Sequence, residues 1–379
     1  MAYDFSRLDT FIDGIFDEFG IPGSDCIITE GGKTVYHHSA GYSDLEAKKP
    51  VAGSDTHWIY SASKVFTVVA AQQLIAQGKL DPEAPVSDYI PEYKNVMLRE
   101  NDGTIRAPKN TMLVKHLLTM TGGHAYDRSH PTYLEFVKNN PDFTTAEFAK
   151  MMATIPLHFE PGTHFLYSFC LDLIGAIVEI VSGMSFEEYL KKKIWEPLGM
   201  KDTTFHPTEE MLSREAQQYS TVTYGQSVDR VGNALTSHSS RNFESGGGGL
   251  MSTLEDYIKF GTALALGGVS PEGVRIIDEA ALKDMATPRL CKDAVDDFRT
   301  FKPELKSFSY GYGVRVLVDN SAYDCPNGIF GWDGAAGAYL SVDMERKICI
   351  FYIQQVLNST RTFAELHQQL LATAYACMK

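Results

Sequence analysis

The sequence predicts an α+β fold, with an α/β lobe and a helical lobe. The α/β lobe is one antiparallel sheet made from both ends of the chain and flanked by helices. Three observations carry this. β-rich runs fall near the ends, at 26–29 and 33–37 and again at 310–318, 338–342 and 348–354, with period-two or continuous apolar patterns. From Leu80 to about Leu290 the pattern is instead helices and long polar loops. The length, 379 residues, is enough to bury a large core in two lobes. The expected division is 1–80 with 290–379 for the sheet lobe and 81–289 for the helical lobe, with a site in the cleft between them.

In chain order, residues 1–20 read as an amphipathic helix. Early acids and the lack of an apolar h-region exclude a signal peptide, and no run approaches the ~20 apolar residues a membrane helix needs. A cytoplasmic location is expected. Glu30-Gly31-Gly32 joins the first two strands as a hairpin. The stretch 55–78 then carries a helix with no Gly or Pro from Ser63 to Gln77 and little polar face, ended by Gly78. Further helices are expected at 111–120, 144–153, 171–181, 185–193, 254–266 and 362–378, and Asp343–Arg346 reads as a hairpin turn.

Composition excludes several functions. A net charge of −14 argues against nucleic acid or an anionic membrane as partner. The six cysteines contain no C-x-x-C, which fits reduced, buried thiols rather than a zinc site or disulfide framework. No H-E-x-x-H occurs, His37 and His38 alternate across a strand, and no metal or other cofactor is expected. His116 and His124 straddle a glycine turn and suit a surface or cleft position better than ligation. Gly246–Gly249 lacks a following Lys-Ser/Thr, so it reads as close backbone packing near the cleft rather than a phosphate loop. No G-x-S-x-G is present.

The chemistry concentrates at the head of the apolar helix. Ser61 and Lys64 form the only S-x-x-K in the chain. A lysine three residues on lies on the same helix face, within reach of the serine hydroxyl. Burial lowers a lysine's pKa towards that of a general base, so one turn of helix can supply a nucleophile and its base. The bland alternative is a serine near a helix start and a lysine snorkelling from the core.

Ser61-Ala62-Ser63-Lys64 resembles the first motif of the serine β-lactamase and penicillin-binding-protein superfamily, and the likeness continues in order along nearly the whole chain. Leu117–Gly123 is similar to that superfamily's LLTHTSG stretch. Pro161-Gly162 through Tyr167-Ser168, with Gly175 and Glu179 following, is similar to its PG…YS segment. Pro197–Met200 and Gly247–Thr253 resemble its PLGM and GGLxST segments. Gly331-Trp332-Asp333-Gly334 sits where the third motif falls. Two motifs depart from the class C β-lactamase pattern: Tyr167-Ser168-Phe169 replaces Y-x-N, and Trp332-Asp333-Gly334 replaces K-T-G. With Asp172, these match the branch of family VIII carboxylesterases and lovastatin-type acyltransferases.

The resemblance implies roles. Ser61 is the acyl-accepting nucleophile, Lys64 takes or relays its proton, and Tyr167, as phenolate or polarised phenol, passes the proton to the leaving group. The backbone N–H groups of Ser61 and Ala335 form the oxyanion hole. Phe169, Asp172, Trp332, Asp333 and Gly334 are expected to bind substrate, Trp332 by its apolar face, with plain core packing as its bland alternative. Asp333, replacing a cationic motif, is expected to repel a carboxylate and favour neutral or cationic esters. The function expected is a serine hydrolase acting on small esters. Alternatives within the class are a D-amino-acid amidase or peptidase, an acyltransferase, or a weak β-lactamase. From another class, a non-catalytic ligand-binding relative would keep the fold but needs none of Ser61, Lys64 and Tyr167.

Overall fold

The computed structural model describes residues 3–223, 227–232 and 240–379. The sheet has eight strands, in the spatial order Phe308–Tyr310, Arg315–Leu317, Phe330–Gly331, Tyr339–Asp343, Ile348–Gln354, Gly23–Glu30, Lys33–Asp44 and Lys49–Pro50. All its pairings are antiparallel. The two chain ends meet at its centre, where Ser24 pairs with Gln354 and Glu30 with Ile348. Both of those strands are buried almost throughout, which is why they read as apolar runs. Gly31 and Gly32 make the expected hairpin with positive φ values of 56° and 85°, conformations that glycine adopts at little cost.

One expected strand is two. The apolar run 310–318 breaks at Gly311-Tyr312-Gly313, and Phe308–Tyr310 folds back antiparallel on Arg315–Leu317. Apolarity continues through the break because these residues are buried against helices. A Cβ on Gly311 would lie 2.3 Å from the Met285 carbonyl, and Gly313 takes φ 64° with its N–H bonded to Leu118 O at 2.7 Å. Turn chemistry overrode the strand pattern there.

The N-terminal helix is broken at Gly14 into Ser6–Asp13 and Ile15–Phe19; Met1 and Ala2 of that stretch lie outside the described residues. The expected helices at 111–120, 144–153, 171–181 and 185–193 appear as Val114–Leu118, Thr145–Met152, Cys170–Ser182 and Phe186–Leu190, the last continued by a π-turn over Lys191–Trp195. Thr144 and Glu147 cap the second of these reciprocally. Four helices among the described residues went unread, Pro131–Asn139, Glu209–Ser213, Glu279–Met285 and Lys292–Phe301. Glu209–Ser213 and Glu279–Met285 are short, and Pro131–Asn139 and Lys292–Phe301 are largely polar with a narrow apolar stripe, so none presents the apolar run of a core helix.

The helix Ser63–Ala76 is the hub. Twelve of its residues are buried, from Ser63 to Leu74, including the polar Thr67, Gln72 and Gln73. Phe66 stacks on Phe260 at 4.0 Å and meets Tyr257 and Trp195 edge-on at 5.3 and 6.3 Å. Gln77 then closes the helix and Gly78 turns the chain at φ 67°. The helix Leu254–Ala265, expected within the helical lobe, packs on the sheet instead. Tyr257 stacks on Phe351 at 4.1 Å, Thr262 bonds Thr29 at 2.8 Å, and Gly261 leaves no room for a Cβ beside Cys349 Sγ. A boundary near 289 therefore cuts this helix away from the strands that bury it. Among the described residues no helix is long and apolar enough to cross a membrane.

Replacing Phe66 by Ala removes a fully buried ring from this hub. Urea unfolding of Phe66→Ala is expected to show a loss of about 3–5 kcal/mol with an unchanged m-value. A loss below 1 kcal/mol would mean that the hub repacks around the gap.

Candidate active site

Three local structures converge on Ser61. The strand Thr56–Trp58 pairs antiparallel with Met251–Thr253, and Ile59 N donates to Leu250 O at 3.0 Å. This lays the glycine run 246–249 beside Ser61. Ser61 then sits in a 3₁₀ turn, Tyr60–Ala62, that opens into the hub helix. Tyr60 immediately before it has φ 47°, a left-handed conformation costing about 1–3 kcal/mol for a non-glycine residue. The surroundings enforce it: the Tyr60 hydroxyl donates to Gln218 Oε1, and its ring lies in an apolar cluster with Trp58, Met211, Met251 and Ala336. Finally, Gly334 packs against the Ile59 carbonyl, 2.3 Å from where a Cβ would stand, which brings the 335–337 turn to the same place.

Lys64 is wholly buried. Its Nζ donates to Ser61 Oγ at 3.2 Å, to Tyr126 Oη at 3.3 Å and to the Gly247 carbonyl, and it lies 4.6 Å from the centre of the Tyr167 ring. Burial pulls its pKa down to about 7; Asp172 pulls the other way and Arg128 adds to the lowering. The amine is thus poised to accept a proton near neutral pH. Tyr167 takes a bond from Trp332 Nε1 at 3.0 Å and is hydrogen-bonded to Ser61. Burial raises its pKa well above the ordinary phenol value, and the bonds from Ser61 and Trp332 recover only part of that. Tyr167 is therefore a neutral phenol at pH 7, and of the two readings of its state, the phenolate drops out. The arrangement leaves Lys64 placed to accept a proton and Tyr167 placed to donate one.

Gly247 is held to a narrow tolerance. Its N–H donates to Asp172 Oδ1 at 3.1 Å, and a Cβ there would stand 2.3 Å from Asp172 Oδ2 and 2.5 Å from Tyr126 Oη. Thr67 Oγ1 bonds Gly246 O at 2.7 Å from the hub helix. Close backbone packing accounts for the glycines, as their sequence suggested. Asp172 is fully buried, accepts from Ser245 Oγ and Gly247 N, and its pKa is raised by burial. It holds the glycine run and faces Lys64, so it acts as a support rather than a substrate contact. Phe169 is likewise core, 4.3 Å from the Tyr126 ring and 5.2 Å from Phe148.

The third motif does not work as expected. Trp332 is only 1% exposed and packs edge-on against Tyr310 at 5.1 Å, so it offers its N–H to Tyr167 rather than an apolar face to a ligand. The Asp333 carboxylate is paired with Arg315 and lies 3.6 Å from Lys302. Burial alone would raise its pKa, but Arg315 and Lys302 outweigh it and hold Asp333 below the ordinary carboxylate value. A neutralised carboxylate does not repel an anionic substrate, and the repulsion expected from the sequence falls away. Ala335 is exposed at the turn, and its N–H makes no hydrogen bond to a described residue, as an oxyanion donor requires. Half-buried Ser61, Tyr126 and Tyr167 share the opening with Phe301, 46% exposed and stacked on Tyr167 at 5.1 Å.

Sequence reasoning missed Tyr126, the Gly247 carbonyl and Phe301. A lone tyrosine in a polar loop and a backbone oxygen leave no pattern, and Phe301 ends a helix that was not read. His124 is not a cleft residue: it is buried, bonds Tyr93 Oη at 3.0 Å, and burial lowers its pKa to about 3. Among the described residues, Glu187, His206 and Glu244 bring ligand atoms within 4.8 Å of one another. Their carboxylate oxygens are already engaged by Thr204, Phe205 N, Ser185 and Glu187 N.

This geometry agrees with comparison to known proteins. The Beta-lactamase family model matches residues 8–375, and the chain belongs to that family. Esterase EstB of Burkholderia gladioli is 27% identical, over 89% of this chain and 87% of its own. Lovastatin esterase of Penicillium rubens is also 27% identical, covering 92% of this chain and 93% of its own. In fold, the chain is similar to EstCE1, described as a hydrolase with promiscuous acyltransferase activity, at TM-score 0.82 and 22% identity over 97% of both chains. It is similar to simvastatin synthase of Aspergillus terreus at TM-score 0.81 and 21% identity over 99% of both.

Two measurements check the electrostatics. If neutral Lys64 is the base, kcat/KM on an activated ester rises with pH along a limb centred near pH 7. Asp172 raises the Lys64 pKa, so Asp172→Asn is expected to move that limb to lower pH; an unmoved limb would separate Asp172 from Lys64. For Gly247→Ala, the methyl must displace Asp172 or Tyr126, and a loss of about 10²-fold in kcat/KM is expected, the scale of a misplaced catalytic group.

Proposed function

We propose that this protein is a serine esterase that acts on small esters through an acyl-Ser61 intermediate. The observation that supports it is a buried amine, with its pKa near 7, 3.2 Å from a half-exposed serine hydroxyl and beside a neutral tyrosine hydroxyl. Lys64 takes the Ser61 proton as Oγ attacks the ester carbonyl. The N–H groups of Ser61 and Ala335 receive the developing oxyanion, a contribution that elsewhere is about 2.7–4 kcal/mol per donor. Tyr167 gives its proton to the departing alkoxide and regains one from Lys64 through the hydroxyl network. Water then attacks the acyl-enzyme by the reverse path, with Ser61 as the leaving group. The reaction takes place in the cleft between the sheet and the helical lobe, and Phe301 supplies an apolar wall at its mouth.

The family membership and the relatives named as esterases support this reading over a non-catalytic binding protein, which has no use for a neutral buried lysine. Burying an amine costs free energy, and a binding module gains nothing from it. All six cysteines are free, which supports work in the reducing cytoplasm. Small-molecule esters are the proposed partners; nucleic acid is not.

A fluorophosphonate is expected to label the protein once, at Ser61, and intact-mass analysis of Ser61→Ala should show no adduct. An adduct on that variant would end the proposal. Tyr167→Phe keeps the ring and removes the proton carrier, so kcat/KM on p-nitrophenyl acetate should fall by about 10²-fold or more. Activity near wild type would reduce Tyr167 to packing.

A further inference from the structure

A second cavity, of about 480 Å³, lies on the far side of the glycine run from Lys64. It shares its wall with the active site. Ser245 and Gly249 line it, and a Cβ on Gly248 between them would stand 3.5 Å from the Tyr60 carbonyl carbon and 3.8 Å from Ser61 N. Its volume is that of a small-molecule site. Its body is apolar: Trp58, Phe205 and Phe243 contribute rings to the lining. Its charge is one-sided. Arg128 and Arg241 line it, and no Asp or Glu does among the described residues.

What sets those two arginines apart is the cavity they share, for Arg7, Arg99 and Arg299 likewise make no side-chain hydrogen bond or ion pair with a described residue. Acids outnumber bases 48 to 34, and Arg106, Arg214, Arg289 and Arg315 are each paired with a carboxylate. Arg128 and Arg241 make no hydrogen bond or ion pair with any described residue, yet both face one cavity. In a protein of net charge −14, leaving two guanidinium groups unpaired at one site provides a place for an external anion. The nearest acids stand behind the lining and are engaged there: Trp58 Nε1 donates to Glu215 at 2.9 Å, Ser245 Oγ donates to Asp172, and His206 lies 3.2 Å from Glu244.

We propose that this cavity is a substrate subsite for an apolar chain or ring ending in a carboxylate, so that the ester cleaved at Ser61 is a half-ester of a dicarboxylic acid or its aromatic equivalent. Trp58, Phe205 and Phe243 bury the apolar body, and Arg128 and Arg241 bind the free acid. The inference rests on the esterase reading and adds its substrate class.

The test compares mono-p-nitrophenyl adipate, suberate and sebacate with the p-nitrophenyl hexanoate, octanoate and decanoate of equal length. Each neutral ester controls for folding within the same variant. In Arg128→Gln/Arg241→Gln the anionic-to-neutral ratio of kcat/KM should fall about tenfold or more from wild type, the fold-change that one charge-assisted hydrogen bond carries. The fall should lie in KM, shrink at high salt, and be partial in either single variant. Calorimetry supplies a readout without turnover: Ser61→Ala should bind monomethyl suberate about tenfold more tightly with both arginines than without them. A ratio unmoved at every chain length, or binding unchanged by the arginines, overturns the subsite. If fluorophosphonate still labels Ser61 in that case, the esterase reading stands and the subsite alone falls. If Ser61 is never labelled, both fall.

Discussion

The structure depends on keeping one amine out of water. Lys64 is wholly buried at the start of a helix that is itself buried, and the cost of that burial lowers its pKa to about 7. An isolated ammonium there would be intolerable, and even a neutral amine needs partners. It has three: the Gly247 carbonyl, the Tyr126 hydroxyl and the Ser61 hydroxyl. Much of the nearby architecture can be understood as holding those partners in place. The strand pair 56–58 with 251–253 sets the glycine run alongside. Asp172 and Thr67 fix that run from below, and the aromatic layer of Phe169, Tyr133 and Phe148 backs Tyr126.

The two motifs that depart from the class C pattern act as one unit. With tryptophan in place of the lysine, an N–H points at Tyr167 Oη, and the bond offsets part of the rise that burial gives the phenol's pKa, easing proton donation without ionising it. The aspartate next to it is bound to Arg315, which also donates to Leu340 O at 2.8 Å and lies over the Tyr339 ring. Breaking a buried pair of this kind strands a charge in the core. The third motif is thus a structural brace that positions Tyr167 and, through Gly334, the turn carrying Ala335.

What the sequence made legible follows from range. Ser61 and Lys64 are three residues apart across the 3₁₀ turn and the first turn of the helix it opens into, so local geometry alone puts them in contact. The sheet was visible because its strands are apolar at both ends of the chain. Asp333 was misread because its partner Arg315 lies eighteen residues upstream on a neighbouring strand, and nothing local announces that pairing. Tyr126 reaches Lys64 across 62 residues, and the Gly247 carbonyl across 183. The packing of the helix Leu254–Ala265 was hidden for the same reason: it resembles its sequence neighbours, but it packs on strands from both chain ends. Only the break at 311–313 was local, and there two glycines outweighed an otherwise unbroken β pattern.

The meeting of both chain ends at the sheet's centre bears on how the protein is made. Ser24 pairs with Gln354, so 330 residues (354 minus 24) separate the two strands. On a ribosome adding roughly 5–20 residues per second, the first hairpin waits about 15–65 s for its neighbour. Throughout that wait the strand Gly23–Glu30, six of whose eight residues end up buried, has one edge unpaired and both faces uncovered. Folding that must close so long a loop is slow, and the nascent chain is vulnerable to edge pairing until its last strand emerges. Shielding that early hairpin is therefore a requirement of synthesis that the finished sheet no longer displays.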